Sequence, residues 1–432
     1  MNNTKLNLTT KILGVFLCLY IFLVGISALS KSISGLTEPE NLVAGDMAQL
    51  KKITIIDNSQ QTVTKKKVWV KITSAEEDGS YGYEFKENDI TVNGFTEKKN
   101  IKKSASSGFL TATNSAFICL FIGVFATVLF QSSSTTTSLI VGMAGGGLIE
   151  LSSAVPMVMG ANIGTTVTNT IISLGHLRHG EEFKRAFAAS TVHDFFNILA
   201  VLIFFPLEMM FGILEKTALF LGNVFFTEIS EKPFQSPIKK AVSWGVEHLK
   251  DLVHYISDNN WLLLFVSIII TLIMLFSIVK LLRSMVLSKV EAFFDKYIFK
   301  TAIRAIMFGF AITVLVQSSS ITTSVIVPLA GAGVLSLRQI FPFTLGANIG
   351  TTITSIMAAL VLNPIAMVVA FSHLLFNIIG ILGIYTFEPI RNIPLKCAET
   401  IAELSMKNKL IPILYLAIVF VLIPITIILI GG

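Results

Sequence analysis

Apolar residues fall in long runs rather than in the narrow stripes of surface helices. The first run, 12–29, follows Lys5 and Lys11. Others cover 109–130, 136–149, 154–175, 186–206, 261–283, 303–316, 322–335, 340–361, 364–386 and 410–430. A helix needs about 20 apolar residues to cross a bilayer, so several runs are expected to span one. Two stretches, 109–149 and 303–335, are each split by a polar turn into halves too short or too broken to span comfortably. Each is expected to be a re-entrant hairpin, tolerated at membrane depth only where protein buries it or water lines it. The first run ends in Ala28-Leu29-Ser30, which also fits a small-x-small signal-peptide cleavage site. It exceeds the roughly 7–15-residue core of such a peptide, so a retained first helix is expected.

Residues 31–108 follow a different pattern. They are rich in Lys, Glu and Asp, and apolar and polar positions alternate in Lys67-Val68-Trp69-Val70-Lys71-Ile72, in 81–85 and in 90–92. Period-two alternation marks half-buried strands. A small β-rich soluble insertion is expected, with turns at Asp78-Gly79 and Asn93-Gly94. A spacer and a partner-binding module both fit it.

Within the apolar runs one polar stretch occurs twice. Gln131-Ser132-Ser133-Ser134 returns as Gln317-Ser318-Ser319-Ser320, and an ungapped overlay of 131–169 on 317–355 gives 22 identities in 39 positions. The match includes Gly160-Ala161-Asn162-Ile163-Gly164-Thr165-Thr166 against Gly346–Thr352. Unpaired hydroxyls and amides in hydrocarbon cost several kcal/mol. Single Ser and Thr residues act as packing glue between membrane helices, but that explains a duplicated ten-residue run such as Gln131–Ile140 poorly. Duplicated, broken polar segments in transporters form the binding site at the repeat interface.

The orientation of the copies follows from charge. Arg178, Lys184 and Arg185, then Lys280 through Arg304, then Arg391 through Lys409, lie between apolar runs, where the positive-inside rule makes them cytoplasmic. The 207–260 connector carries five Lys against seven Asp or Glu and goes to the other side. With the N-terminus cytoplasmic, the first hairpin enters from outside and the second from inside. The fold class expected is an all-α polytopic membrane protein of two inverted repeats, each with a re-entrant hairpin and a broken helix, plus the β-rich insertion. Its parts are a first transmembrane helix (1–30), an extracytoplasmic insertion (31–108), a repeat 1 transport core (109–206) and an extracytoplasmic inter-repeat loop (207–260). A repeat 2 transport core (261–386), a cytoplasmic connector (387–409) and a final transmembrane helix (410–432) complete it. Within the loop, Ala241–His254 fits a short amphipathic helix.

Composition agrees. At 53% hydrophobic and 14% charged, with mean hydropathy +0.74, the chain is too apolar for a soluble protein of this length. The net charge of +6 sits in the connectors and does not point to nucleic acid. Cys18, Cys119 and Cys397 are far apart and lack metal-ligand spacing. No nucleophile–base pair or metal cluster points to an enzyme.

The chemistry left is ion binding. The helix after each hairpin tip presents free N–H groups and the positive end of its dipole, and the hydroxyls add donors for an anion. Between Ser104 and Ile172 the only charged residue is Glu150, so cotransported cations are the economical neutraliser. Na⁺ favours oxygen ligands, which these motifs supply. The glycines of Gly160–Thr166 and Gly346–Thr352 permit unwound backbone facing a cation. They equally fit a close Gly-x-x-x-Gly helix crossing. His193 and His373, each followed four residues later by Asn197 and Asn377, are expected to be structural. Asp194, an intramembrane carboxylate, is a functional candidate by default, and Leu374 replaces it in the second copy.

These motifs, with Thr191-Val192-His193-Asp194-Phe195-Phe196-Asn197 and the terminal Phe420-Val421-Leu422-Ile423-Pro424, resemble the type II sodium-dependent phosphate cotransporter family. The resemblance covers nearly all of the chain outside 31–108. It implies sodium-driven symport of inorganic phosphate by alternating access in a cell (inner or plasma) membrane, with sodium as coupling ion and no other cofactor. It also implies that Asp194 brings an additional sodium and electrogenic transport. The candidate phosphate ligands are Gln131, Ser132, Ser133, Ser134, Thr135, Gln317, Ser318, Ser319 and Ser320. The candidate sodium ligands are Gln131, Ser133, Asn162, Thr165, Thr166, Asp194, Asn197, Gln317, Ser319, Asn348, Thr351 and Thr352. The insertion departs from the family pattern, the inter-repeat loop lacks the disulfide cysteines of animal members, and the chain ends at Gly432 where those members continue. A compact prokaryotic-type member is expected. A sodium-coupled carrier of another oxyanion or small carboxylate, or an ion channel, are the alternatives, and the oligomeric state is left open.

Overall fold

Long apolar segments fold as helices because a helix satisfies its own backbone hydrogen bonds, the condition for crossing hydrocarbon. The computed structural model describes residues 8–37, 47–56, 62–76, 80–87, 90–97, 101–105, 115–177, 179–227, 237–257, 259–293 and 298–431. Helix α1 (Leu8–Thr37) leads into strands β1 (Met47–Ile56), β2 (Thr62–Ala75), β3 (Ser80–Glu87), β4 (Ile90–Glu97) and β5 (Ile101–Ala105). After α2 (Ala116–Phe130), the first copy of the duplicated sequence runs through α3 (Ser133–Gly146) and α4 (Leu151–Gly164) into α5 (Val167–Leu174), followed by α6 (Glu181–Phe211). Helices α7 (Ile213–Thr227) and α8 (Pro237–His254) occupy the connector. The second copy follows α9 (Asn260–Phe293), in α10 (Ala302–Val316), α11 (Ser319–Ser324), α12 (Ile326–Gly331) and α13 (Leu337–Leu360). Helix α14 (Pro364–Gly380), α15 (Glu388–Lys407), α16 (Ile411–Ala417) and α17 (Ile423–Gly431) complete the chain, with π-helical turns at Ile381–Tyr385 and Ile418–Leu422.

Among the described residues six helical segments are long and apolar enough to cross a bilayer: Leu8–Ser34, Glu181–Phe211, Asn260–Met285, Leu337–Leu360, Pro364–Tyr385 and Ile411–Gly431. The protein is a multi-pass membrane protein. By contrast α2 and α10, at 15 residues each, rise only about 22 Å at 1.5 Å per residue, short of the roughly 30 Å hydrocarbon core.

The strands form one antiparallel sheet ordered β4-β3-β2-β1-β5, with Ala48, Leu50, Val70, Ile72, Tyr81, Phe85 and Ile101 as its core. The turn expected at Asn93-Gly94 is not there. Both residues lie inside β4, where Gly94 pairs with Tyr83. A Cβ on Gly94 would sit 2.7 Å from the Tyr83 hydroxyl, so the glycine admits the neighbouring ring. The turn expected at Asp78-Gly79 lies outside the described residues.

The glycines of the second motif settle as crossing points. A Cβ on Gly160 would run into the Leu120 carbonyl, and one on Gly346 into the Ile306 carbonyl. Gly123 and Gly309 meet the Met157 and Phe343 carbonyls from the other side. Small residues thus let α2 press on α4, and α10 on α13, backbone against backbone. The expectation of a broken helix in both copies is corrected. Within this motif only the first copy breaks, at Thr165-Thr166 between α4 and α5, while α13 runs unbroken through Gly346–Thr352. Side chains also bond the carbonyls at the break: Asn197 Nδ2 donates to Asn162 O at 2.7 Å, and Ser320 Oγ to Thr165 O at 3.3 Å. In the second copy Asn377 turns its oxygen, not its N–H₂, toward Asn348, which leaves that backbone to its helix. The second copy breaks elsewhere, at Val325 between α11 and α12. Pro328 has no N–H for the Ser324 carbonyl and its ring crowds it; Gly142 takes its place in the unbroken α3.

The stretches expected as connector and loop are also helical. α15 is amphipathic, and Lys184 of α6 pairs with its Glu403 at 2.9 Å. That ammonium holds the exposed Glu403 carboxyl below its usual range.

Candidate functional site

Each Gln-Ser-Ser-Ser stretch makes a tight turn between two helices. Gln131 and Gln317 end α2 and α10 at φ 51° and 56°, and no other described non-glycine residue has a positive φ. That left-handed conformation is worth about 1–2 kcal/mol of strain, and the repeated motif adopts it twice. Ser132 and Ser318 then cap α3 and α11 at φ −156°, with ψ 109° and 111°. Their hydroxyls accept from Thr135 N at 3.2 Å and Ile321 N at 3.3 Å, satisfying one of the free N–H groups of each first turn. Ser133, Ser134, Thr135, Ser319 and Ser320 are buried just inside these caps. Ser133 Oγ is buried without a hydrogen-bond partner.

The helices after the two tips dock reciprocally. Thr137 Oγ1 lies 2.7 Å from Ser355 Oγ, and Asn169 Nδ2 donates to Thr323 Oγ1 at 2.5 Å. Thr137 and Thr323 hold the same place in the two copies, as do Asn169 and Ser355. Each copy's tip helix therefore bonds the other copy's Gly-Ala-Asn-Ile-Gly helix region. The far ends exchange contacts too: Asn363 Nδ2 donates to Gly145 O at 2.6 Å, and Arg185 Nε to the matching Gly331 O at 2.8 Å. Reciprocal contacts of this kind are what a two-fold relation between like halves produces.

A buried amide cluster joins the halves. Besides its bond to Asn377 Oδ1 at 2.8 Å, Asn348 Nδ2 donates to Asn197 Oδ1 at 3.3 Å. His373 Nε2 lies 3.4 Å from Asn162 Oδ1, and its Nδ1 3.4 Å from Ser355 Oγ. His373 thus ties Asn162 to the Thr137–Ser355 pair, a structural use of its ring. His193 is buried with Nε2 unpartnered. Asn348 Oδ1 also has no partner, so the cluster keeps a buried oxygen free.

The other expected ligands divide between sites. Thr165 and Thr351 hydroxyls back-bond to Ala161 O and Ala347 O at 3.1 and 3.2 Å, and Thr166 and Thr352 to Ile163 O and Ile349 O at 3.4 and 2.7 Å. Asp194 is fully buried, takes a bond from Tyr415 at 3.0 Å, and has the Thr166 and Thr170 hydroxyls beside it. Gln131 and Gln317 differ: Gln317 is buried and accepts from Thr354 Oγ1 at 2.8 Å, while Gln131 is exposed and Thr168, the counterpart of Thr354, has its hydroxyl buried and unpartnered. No hydrogen bond joins the Ser133 and Ser319 side chains to the other candidates among the described residues. Sequence reasoning missed Thr137, Asn169, Thr323, Thr354 and Ser355, whose signal was membership of the duplicated block. It also missed Tyr415, a lone tyrosine in an apolar run with no signal of its own.

A membrane protein of many helices whose buried polar centre is built from two copies of one motif is the class these features define. The chain belongs to the Na+/Pi-cotransporter family, whose model matches residues 97–227 and 276–387. It is similar to the sodium-dependent phosphate transport protein 2A of Rattus norvegicus, 33% identical over 378 residues that cover 71% of this chain and 59% of that protein. It is also similar to the 2B protein of Homo sapiens, 33% identical over 399 residues, with 71% and 58% covered. The chain thus spans about three fifths of the length of these relatives. No solved structure matches the chain.

Proposed function

We propose that this protein is a secondary transporter that couples sodium entry to uptake of inorganic phosphate by alternating access. The observation that carries the reading is the reciprocal docking of the two Gln-Ser-Ser-Ser tips, each bonded to the other copy's Gly-Ala-Asn-Ile-Gly helix region. In this reading the copies are inverted repeats, and their short helix pairs are re-entrant hairpins entering from opposite faces. The reciprocal hydrogen bonds and the length of α2 and α10 support that. The relatives' sodium-dependent phosphate transport supports the cargo.

Phosphate is bound by the capped first turns of α3 and α11, with Ser133, Ser134, Ser319 and Ser320 as hydroxyl donors. Sodium neutralises it through hydroxyl, amide and carbonyl oxygens of the adjoining motifs, since no Lys or Arg lies in either Gln-Ser-Ser-Ser or Gly-Ala-Asn-Ile-Gly-Thr-Thr segment. Asp194 adds a sodium in one half only, which makes the cycle electrogenic. Competition tests the cargo. Excess unlabelled phosphate is expected to abolish sodium-dependent uptake of labelled phosphate, whereas equal excesses of sulfate or small carboxylates leave most of it. Full competition by those anions would make this a carrier of broader anions.

A further inference from the structure

Asp194 has one partner from outside both copies of the repeat. Tyr415 of α16 donates its hydroxyl to Asp194 Oδ2 at 3.0 Å. The carboxylate is wholly buried, and its other oxygen, Oδ1, has no hydrogen-bond partner among the described residues. The Thr166 and Thr170 hydroxyls flank the same carboxyl, and Thr166 sits at the break between α4 and α5. A buried carboxylate with one oxygen bound and one free needs a proton or a cation to complete it.

We propose that Tyr415 is the positioning residue of a sodium site on Asp194. Its hydroxyl fixes the carboxylate rotamer through Oδ2 and turns Oδ1, with the hydroxyls of Thr166 and Thr170, to the ion. The ring itself is held: Phe195 and Phe420 pack on it at centroid distances of 5.9 and 5.7 Å. The π-helical turn at Ile418–Leu422 directly follows the helix that carries Tyr415. The family match ends at residue 387, so the residue that orients the site comes from a segment outside the matched core. This inference rests on the reading of Asp194 as a sodium ligand.

Tyr415→Phe tests it, because it keeps the packed ring and removes only the hydroxyl. A hydrogen bond to a charged group is worth about tenfold or more in an equilibrium constant. Tyr415→Phe is therefore expected to raise the sodium concentration for half-maximal phosphate uptake by about tenfold, with the phosphate dependence at saturating sodium unchanged. Asp194→Gly is expected to abolish net charge movement, and adding Tyr415→Phe to it should change nothing further. Thermal unfolding in detergent gives a second readout: the stabilisation by sodium over choline shrinks in Tyr415→Phe. Unchanged sodium dependence in Tyr415→Phe, while Asp194→Gly alters charge movement, would overturn the role of Tyr415 alone. Normal charge movement in Asp194→Gly would overturn the sodium site and this inference with it.

Discussion

At the scale of single residues, the tips combine three roles in a few positions. Gln131 and Gln317 accept a left-handed backbone, Ser132 and Ser318 cap the next helix, and the buried serines behind them carry hydroxyls. Ser133 Oγ makes no hydrogen bond among the described residues, so its removal breaks none of the bonds seen there. Ser133→Ala and Ser319→Ala are each expected to lower phosphate uptake at least tenfold, the worth of a hydrogen bond to a charged ligand, with expression and detergent stability unchanged. Normal uptake in both variants would contradict the site. The serines and Asp194 could be picked out of the sequence because polar groups in hydrocarbon need a reason to be there. Their partners could not: Thr137 bonds Ser355 across 218 positions and Tyr415 bonds Asp194 across 221. Such distances leave no local pattern to read.

At the scale of elements, identical motifs end in different helices because the neighbours differ. Pro328 splits the second tip helix where Gly142 leaves the first intact, and Asn197 bonds the Asn162 carbonyl where the first Gly-Ala-Asn-Ile-Gly helix opens. The shared duty of those glycines is close approach. Gly160→Ala and Gly346→Ala would each drive a methyl into a backbone carbonyl of the crossing helix, a contact with no flexible side chain to yield. Overpacking of this kind costs about 1–3 kcal/mol or more. Both variants are expected to unfold at lower temperature in detergent than the parent, and equal melting would show that the helices have slack. Element type was legible wherever a run was long and apolar, and the alternation in 67–72 announced a strand. The Asn93-Gly94 pair misled because the same dipeptide serves a turn or a cross-strand tyrosine. The stretch Glu388–Lys407, read as a connector from its basic residues, folds as a helix.

At the scale of the whole molecule, two copies of one motif meet at a buried polar centre and differ in detail. Gln317 is closed onto Thr354 while Gln131 and Thr168 are apart, and Asp194 has no counterpart. The reciprocal bonds at Gly145 and Gly331 tie each tip helix to the opposite half, and the proposed alternating-access cycle would require the halves to exchange such states. The duplication was open to sequence reasoning. The asymmetry was not, because it lies in side-chain orientation rather than in residue type. The most direct measurement is uptake of labelled phosphate by proteoliposomes containing the purified protein. An inward sodium gradient is expected to drive saturable accumulation above equilibrium, abolished when potassium or choline replaces sodium. Linear, unsaturable flux that ignores sodium would contradict the account and describe a channel.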